Sequence, residues 1–166
     1  GNLISFSTGL WADAYHVNNV SRTNTSDFTG ATGRLYPYAA LDWRFPLVSQ
    51  LGKASQTLEP IVNIITSPNG GNSSKIPNED SQEFEFDDTN LFDVNRFGGI
   101  DRVEGGTRVN YGLKWGLYGP QGYGMSFLVG QTYRFSADDT FAEGSGLEDD
   151  LSDIVASARV FPSNYF

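Results

Sequence analysis

An all-β chain of about six antiparallel, up-and-down strands is predicted by three features of the sequence. Apolar and polar residues alternate over long segments, long and short connections take turns between them, and basic residues keep to one side of the alternation. A strand turns successive side chains to opposite faces, so strict alternation makes a sheet with one apolar face and one wet face. Five of the six segments run for 12 to 19 residues, against roughly 5–6 in ordinary globular strands and about 9–11 needed to cross a bilayer. The pattern predicts part of a transmembrane outer-membrane β-barrel with long loops at one rim and tight turns at the other. Six strands make an incomplete barrel, so residues 1–166 are expected to be an internal segment of one barrel domain.

The first strand is expected over residues 3–17, where Ile4, Phe6, Leu10, Ala12 and Ala14 oppose Ser5, Ser7, Gly9 and Asp13. A Ser/Thr/Asn-rich stretch over 18–30 reads as a long loop. The second, over 31–47, sets Leu35, Ala39, Leu41, Trp43 and Phe45 against Arg34, Tyr36, Asp42 and Arg44. A short link leads to the third, 56–67, with Leu58, Val62 and Ile64 against Glu59 and Asn63. The longest loop, 68–99, precedes a fourth strand over 100–118, where Val103, Val109, Tyr111, Leu113, Trp115 and Leu117 oppose Arg102, Glu104, Arg108, Asn110 and Lys114. Gly119-Pro120-Gln121-Gly122 is a tight turn by composition, because proline presets φ and glycine tolerates φ > 0. Strands over 123–135 and 153–161 flank an acidic loop at 136–152. Gly105 and Gly106 fall inside the fourth segment, where glycine marks a bulge or a close backbone approach. Pro37 and Pro60 also fall inside strands and delete ladder donors, which demands a bulge, a rim position or local looseness.

Two patterns independent of that register agree with it. Arg34, Arg44, Arg102, Arg108, Lys114, Arg134 and Arg159 all fall on the polar face. Trp43, Phe45, Trp115 and Tyr123 sit on the apolar face beside short links, where a lipid-facing barrel carries its interfacial girdle. Net charge is −9, and 14 of the 20 acids lie in the loops between Lys75 and Arg96 and between Arg134 and Arg159. Such loops repel a phosphate backbone, which argues against a nucleic-acid partner. There is no cysteine.

Bond chemistry has little support in the residues. The single histidine, His16, ends the first segment, and a triad would need a base partner and geometry around it. The acidic runs 78–80 and 87–90 carry oxygen ligands for hard cations but match no EF-hand spacing, and solvated loop charge is the simpler reading. No catalytic residue, metal or cofactor is expected. Alternation alone also fits a soluble β-sandwich that binds carbohydrate, and a porin-type diffusion channel shares the wall.

From Leu58 to Phe135 the chain resembles the LptD family, the LPS-assembly proteins of the Gram-negative outer membrane. The resemblance rests on a series in order: Leu58-Glu59-Pro60 at a strand start, a D-x-x-x-(L/F)F element at Asp88 to Phe92, an (F/Y)GG-x-DR turn at Phe97 to Arg102, and VGQ-x-Y(R/Y)F at Val129 to Phe135. Gly146-Leu147 and Ser152 to Val155 also fit, and Leu35 to Leu41 more loosely. It implies a large closed barrel in the cell outer membrane that holds a plug lipoprotein (LptE-like), receives lipopolysaccharide from a periplasmic bridge through an N-terminal jelly-roll domain, and releases it to the outer leaflet through a lateral seam. Lipopolysaccharide, the plug, the bridge and outer-membrane lipid are then the partners, and the work is translocation without bond chemistry. This stretch is expected in the wall away from the seam. Arg34, Arg44, Glu59, Asn63, Arg102, Glu104, Arg108, Lys114, Arg134 and Arg159 become lumen-facing candidates for cargo or plug contact, since Arg and Lys are charge-assisted donors to phosphate. The plainer expectation is that these bases pair across strands with Asp42, Glu59 and Glu104. Phe84, Phe86, Leu91, Phe92 and Phe97 are too apolar for a freely solvated segment, so with Asp87 and Asp88 they are expected to fold inward as a lid.

Overall fold

Among the described residues, alternation over long segments becomes seven strands: β1 (Leu3–Arg22), β2 (Thr25–Arg44), β3 (Leu47–Leu51), β4 (Ala54–Thr66), β5 (Thr107–Tyr118), β6 (Gly124–Arg134) and β7 (Val155–Phe161). The structure is a computed structural model that describes residues 1–22, 25–81, 85–136, 141–142 and 144–162. All pairings are antiparallel, in the order β1-β2-β4-β5-β6-β7, and β3 also lies on β4. The sheet curls into half a barrel of six strand columns.

Six columns and seven strands agree because β3 is β2 resumed. The register from Arg44↔Ile61 to Leu47↔Leu58 runs on without a shift. Pro46 and Pro60 only interrupt it, and between them Phe45 N–H still donates to the Pro60 carbonyl at 3.1 Å. Donors along a strand alternate sides, so the nitrogen of Pro37, eight residues before Phe45, faces the β4 side as Phe45 does. The last β2–β4 pair there is Ala39↔Thr66. Pro37 therefore lies past the end of β4 and removes no ladder bond from that pair.

Two expected boundaries are corrected. Residues 18–22 and 25–30 are not loop: they extend β1 and β2 into a hairpin, with irregularities between Val17 and Val20 and between Val20 and Arg22, that projects beyond the end of β4. Ser/Thr/Asn composition suggested a coil, but the pairing partner supplies the ladder that local propensity does not. Residues 100–106, expected in a strand, are irregular, and β5 begins at Thr107. Arg102 and Glu104 are consequently loop residues, and Val103 is buried in that loop, not on the apolar face. Gly106, at φ +87°, closes the loop onto the strand, its N–H donating to Pro68 O at 3.3 Å. At the opposite rim, Pro120–Gly122 forms the tight turn between β5 and β6 that the composition predicts, with Gln121 and Gly122 both at positive φ, +70° and +80°.

The two faces differ sharply. Ile4, Phe6, Leu10, Leu35, Leu41, Ile64, Leu113, Phe127 and Val160 all sit on one face and are exposed, from 40% at Ile64 and Leu113 to 74% at Val160. Much of the other face is covered by the described parts of the chain's own connections, 67–106 and 135–154, whose Phe97, Phe141 and Leu147 form a small buried cluster with Phe86 against it. A bare apolar face this large is unusual for a monomer in water, where patches reach about 300–600 Å².

Candidate functional site

Among the described residues, three of the ties that hold the loops to the covered face bear on the site. At the β1–β2 end, Arg34 reaches Asp13 Oδ2 at 2.6 Å and donates to the carbonyls of Ile100 and Asp101. Asn72 braces the same loop, accepting from Val103 N–H and donating to Val103 O. Arg102 points into the loop, donating to Ile76 O, and burial lowers its pKa. Asp80 accepts the N–H groups of Ile100 and Asp101 at 3.0 Å each.

These bonds, the Ile100 amide foremost, hold the Asp80 carboxyl below its ordinary value of 3.8. A depressed folded pKa means its contribution is present above pH 4 and lost as pH falls through the lower folded value. Acidification below pH 4 is expected to speed hydrogen exchange at Ile100 and Asp101 relative to β5 amides, and Asp80→Asn to remove that pH dependence; equal acceleration everywhere would refute it.

The second tie is a buried ionic cluster. Glu104, 2% exposed, faces three buried arginines. Arg96 Nε stands 3.0 Å from Glu104 Oε2, close but outside hydrogen-bond alignment, with Arg108 Nη2 at 3.4 Å and Arg134 Nη1 at 3.8 Å from the carboxylate. Arg108 and Arg134 are directly opposed on β5 and β6. Arg96 also donates to Asn110 Oδ1, which accepts from Thr132, while Asn110 donates to Asn63. Arg108 donates to the carbonyls of Asp93 and Val94. Phe86 and Phe141 lie under the Arg96 and Arg134 guanidiniums at 5.2 and 4.8 Å. Burial pulls Arg96 down to about 9 against the pull of Glu104, so it stays charged at neutral pH, and burial raises Asp93.

The third tie is the strap at 85–92. Asp87 accepts from Thr89 N–H, Thr89 Oγ1 and Asn90 N–H, and Asn90 Oδ1 accepts from Asp87 N–H, which makes a tight self-capped turn. Asp87 is held below the usual carboxylate range, chiefly by the Thr89 hydroxyl. The turn sends Asp88 to β7, where it accepts from Ser157 Oγ at 2.7 Å and Arg159 Nη2 at 2.5 Å. It seats Leu91, fully buried, on Gly130, and Phe92 over Gly112. Gly112 and Gly130 are cross-strand partners. A Cβ at Gly130 would overlap Leu91 Cδ2, and one at Gly112 would crowd Phe92 at 3.1 Å. The two glycines are the floor that lets the strap lie flat.

The remaining sequence-derived residues divide as follows. Arg44 pairs with Asp42 at 2.9 Å and stands 4.0 Å from Glu59. Lys114 is opposite Glu59 in register but closes no ion pair among the described residues. Phe84 lies outside the described residues. Trp43 stacks on Phe45 at 6.3 Å on the bare face, Trp115 lies between Leu58 and Phe127 there, and Tyr123 sits at the short turn against Gly119. His16 is exposed on the bare face. Alternation missed Arg96, a loop residue with no strand period to assign it, and Gly112 and Gly130, whose role depends on what lies above them.

A protein-family model described as LptD, LPS transport system D, matches residues 1–166, the whole chain. No curated protein matches it.

Proposed function

The chain belongs to the LptD family, whose members act in LPS transport and assembly at the outer membrane of Gram-negative bacteria, and we propose that it is a wall segment of that translocon whose covered face lines the lumen. The bare apolar face carries the reading: in water its exposure would be costly, at roughly 25 cal/mol per Å², whereas hydrocarbon leaves nothing to offset. The reading requires β1 and β7, the two ends of the sheet, to be paired by further strands of a closed barrel, since an open edge is not tolerated in lipid. Trp43, Phe45, Trp115 and Tyr123 then mark the interface at the short-turn rim, and Tyr133 and Phe135, edge-to-face at 5.2 Å, the other.

Within the lumen, Arg34, Arg108, Arg134 and Glu104 serve the fold of the loops, while Arg44, Glu59, Lys114 and Arg159 remain open to cargo or to a plug lipoprotein. The strap acts as a lid over the lumen. Lipopolysaccharide handed over from a periplasmic bridge would pass beneath it, without a reaction at any bond and with energy supplied elsewhere along the route.

Spin labels at Val109 and Leu113, in the full-length parent barrel reconstituted in lipid, test the wall. Both are expected to be accessible to oxygen and shielded from a water-soluble nickel reagent. An aqueous or tightly packed signature at both positions would overturn the lipid-facing assignment.

A further inference from the structure

We propose that the cavity beneath the strap is an anion site for a phosphate group, and that its occupant unseats the strap by competing with Asp88 for Arg159. The proposal rests on the reading of the strap as a lid. The cavity, about 180 Å³, is lined by Arg44, Lys114, Arg159 and Asp88, with Phe92 and Leu128 as its apolar part. Three cations from three strands, β2, β5 and β7, thus meet one carboxylate. Asp42 and Glu59 engage Arg44 from outside the lining, Lys114 has no ion pair among the described residues, and Arg159 is half-exposed with Asp88 on it.

A tetrahedral dianion suits that set. Its several oxygens can meet two guanidinium forks and an ammonium from different directions, which a planar carboxylate with two oxygens does less well. Phe92 and Leu128 beside the charges favour an apolar body attached to the phosphate. Placed there, a dianion draws on the donors that Asp88 uses and repels its carboxylate. Asp88 belongs to the turn that seats Leu91 and Phe92, so losing Arg159 removes the strap's charged anchor on β7 and shifts it toward the unseated state. Linkage makes the coupling reciprocal: whatever loosens the strap tightens phosphate binding.

The test uses the full-length barrel with its plug lipoprotein in detergent, spin-labelled at Glu85→Cys and Ala158→Cys, both exposed sites. Their distance distribution is followed while inorganic phosphate, a phosphorylated glycolipid or its dephosphorylated counterpart is added. A longer-distance population is expected to grow with either phosphate source and not with the dephosphorylated lipid. A response to inorganic phosphate assigns a free-ion site, and a response to the phosphorylated glycolipid alone assigns a headgroup site; both support the proposal. Lys114→Gln should leave the unliganded distance unchanged and move the midpoint about tenfold upward, the size of one charge-assisted contact. Asp88→Asn should show the long distance without ligand and bind phosphate more tightly. If Asp88→Asn opens the strap but no phosphate moves the wild type, or the dephosphorylated lipid acts equally, the anion site is wrong while the lid stands. If Asp88→Asn leaves the distance unchanged, the lid itself falls.

Discussion

Cells whose barrel lacks residues 84–92 are expected to become sensitive to bulky antibiotics that the intact outer membrane excludes, with the barrel still assembled. The strap adds nothing to the ladders: its anchors are the Asp88 contacts with Ser157 and Arg159, the seating of Leu91 and Phe92 on Gly130 and Gly112, and Phe86 against the buried cluster and under Arg96. Removing it therefore opens the covered face without touching a strand pair. A graded version separates loss of the strap from loss of its seat. Leu91→Ala removes a fully buried side chain, and burials of that kind are worth about 2–5 kcal/mol when truncated to alanine. The strap, left with Phe86, Phe92 and the Asp88 contacts, should detach for part of the time. Sensitivity should then lie between wild type and the deletion, and Leu91→Ala combined with Phe92→Ala should approach the deletion. Drug uptake by growing cells, with heat-modifiability on gels as the check of assembly, is the measurement. Unchanged permeability in the deletion with normal assembly would count against the lid.

Glu104→Gln is expected to be the most damaging single substitution in the loops. It leaves Arg96, Arg108 and Arg134 buried together after the carboxylate they share is gone. Breaking a buried ion pair from one side costs about 3–5 kcal/mol, because the partner charge stays desolvated. Here three partners repel one another as well. Cluster residues come from 96 and 104 in the loop and from β5 and β6, so the damage should reach the sheet and lower the temperature at which the barrel unfolds. Arg96→Met with Glu104→Met offers the contrast. It removes the loop's share of the charge in one step, and replacing buried ions by apolar groups is often neutral or better. Arg108 and Arg134 keep other partners in that variant, the carbonyls of Asp93 and Val94 and the ring of Phe141 among them. A smaller loss in the double variant than in Glu104→Gln is the expected order; the reverse order would mean that the pair stabilises the fold outright.

The strand faces were legible because the period of two is local. Val109, Tyr111, Leu113 and Trp115 alternate with Arg108, Asn110 and Lys114 whatever lies around them, and the register preserves that parity across β4, β5 and β6. Boundaries were less legible. Residues 18–22 and 25–30 have poor strand composition and form strand because each arm of the hairpin provides the other's partners, while 100–106 keep some alternation yet are held as loop by Arg34, Asn72, Asp80 and Asn95. The acidic loops read as solvated charge by count alone, but Asp80, Asp87 and Asp88 are engaged by backbone N–H groups, a hydroxyl or an arginine.

Sequence by itself determined the fold class, the two-sidedness of the sheet and the family, since each depends on the order and spacing of residues along one chain. Tertiary structure decided which charges are structural and which are open. Arg108 and Lys114 share a strand and a face, yet one is buried against Glu104 and the other lines a cavity. The cause is the path of the loop above them, with Glu104 lowered onto one end of β5 and Phe92 onto the glycine floor farther along. Burial sets the energetic value of a charge, and burial here comes from a connection remote in sequence.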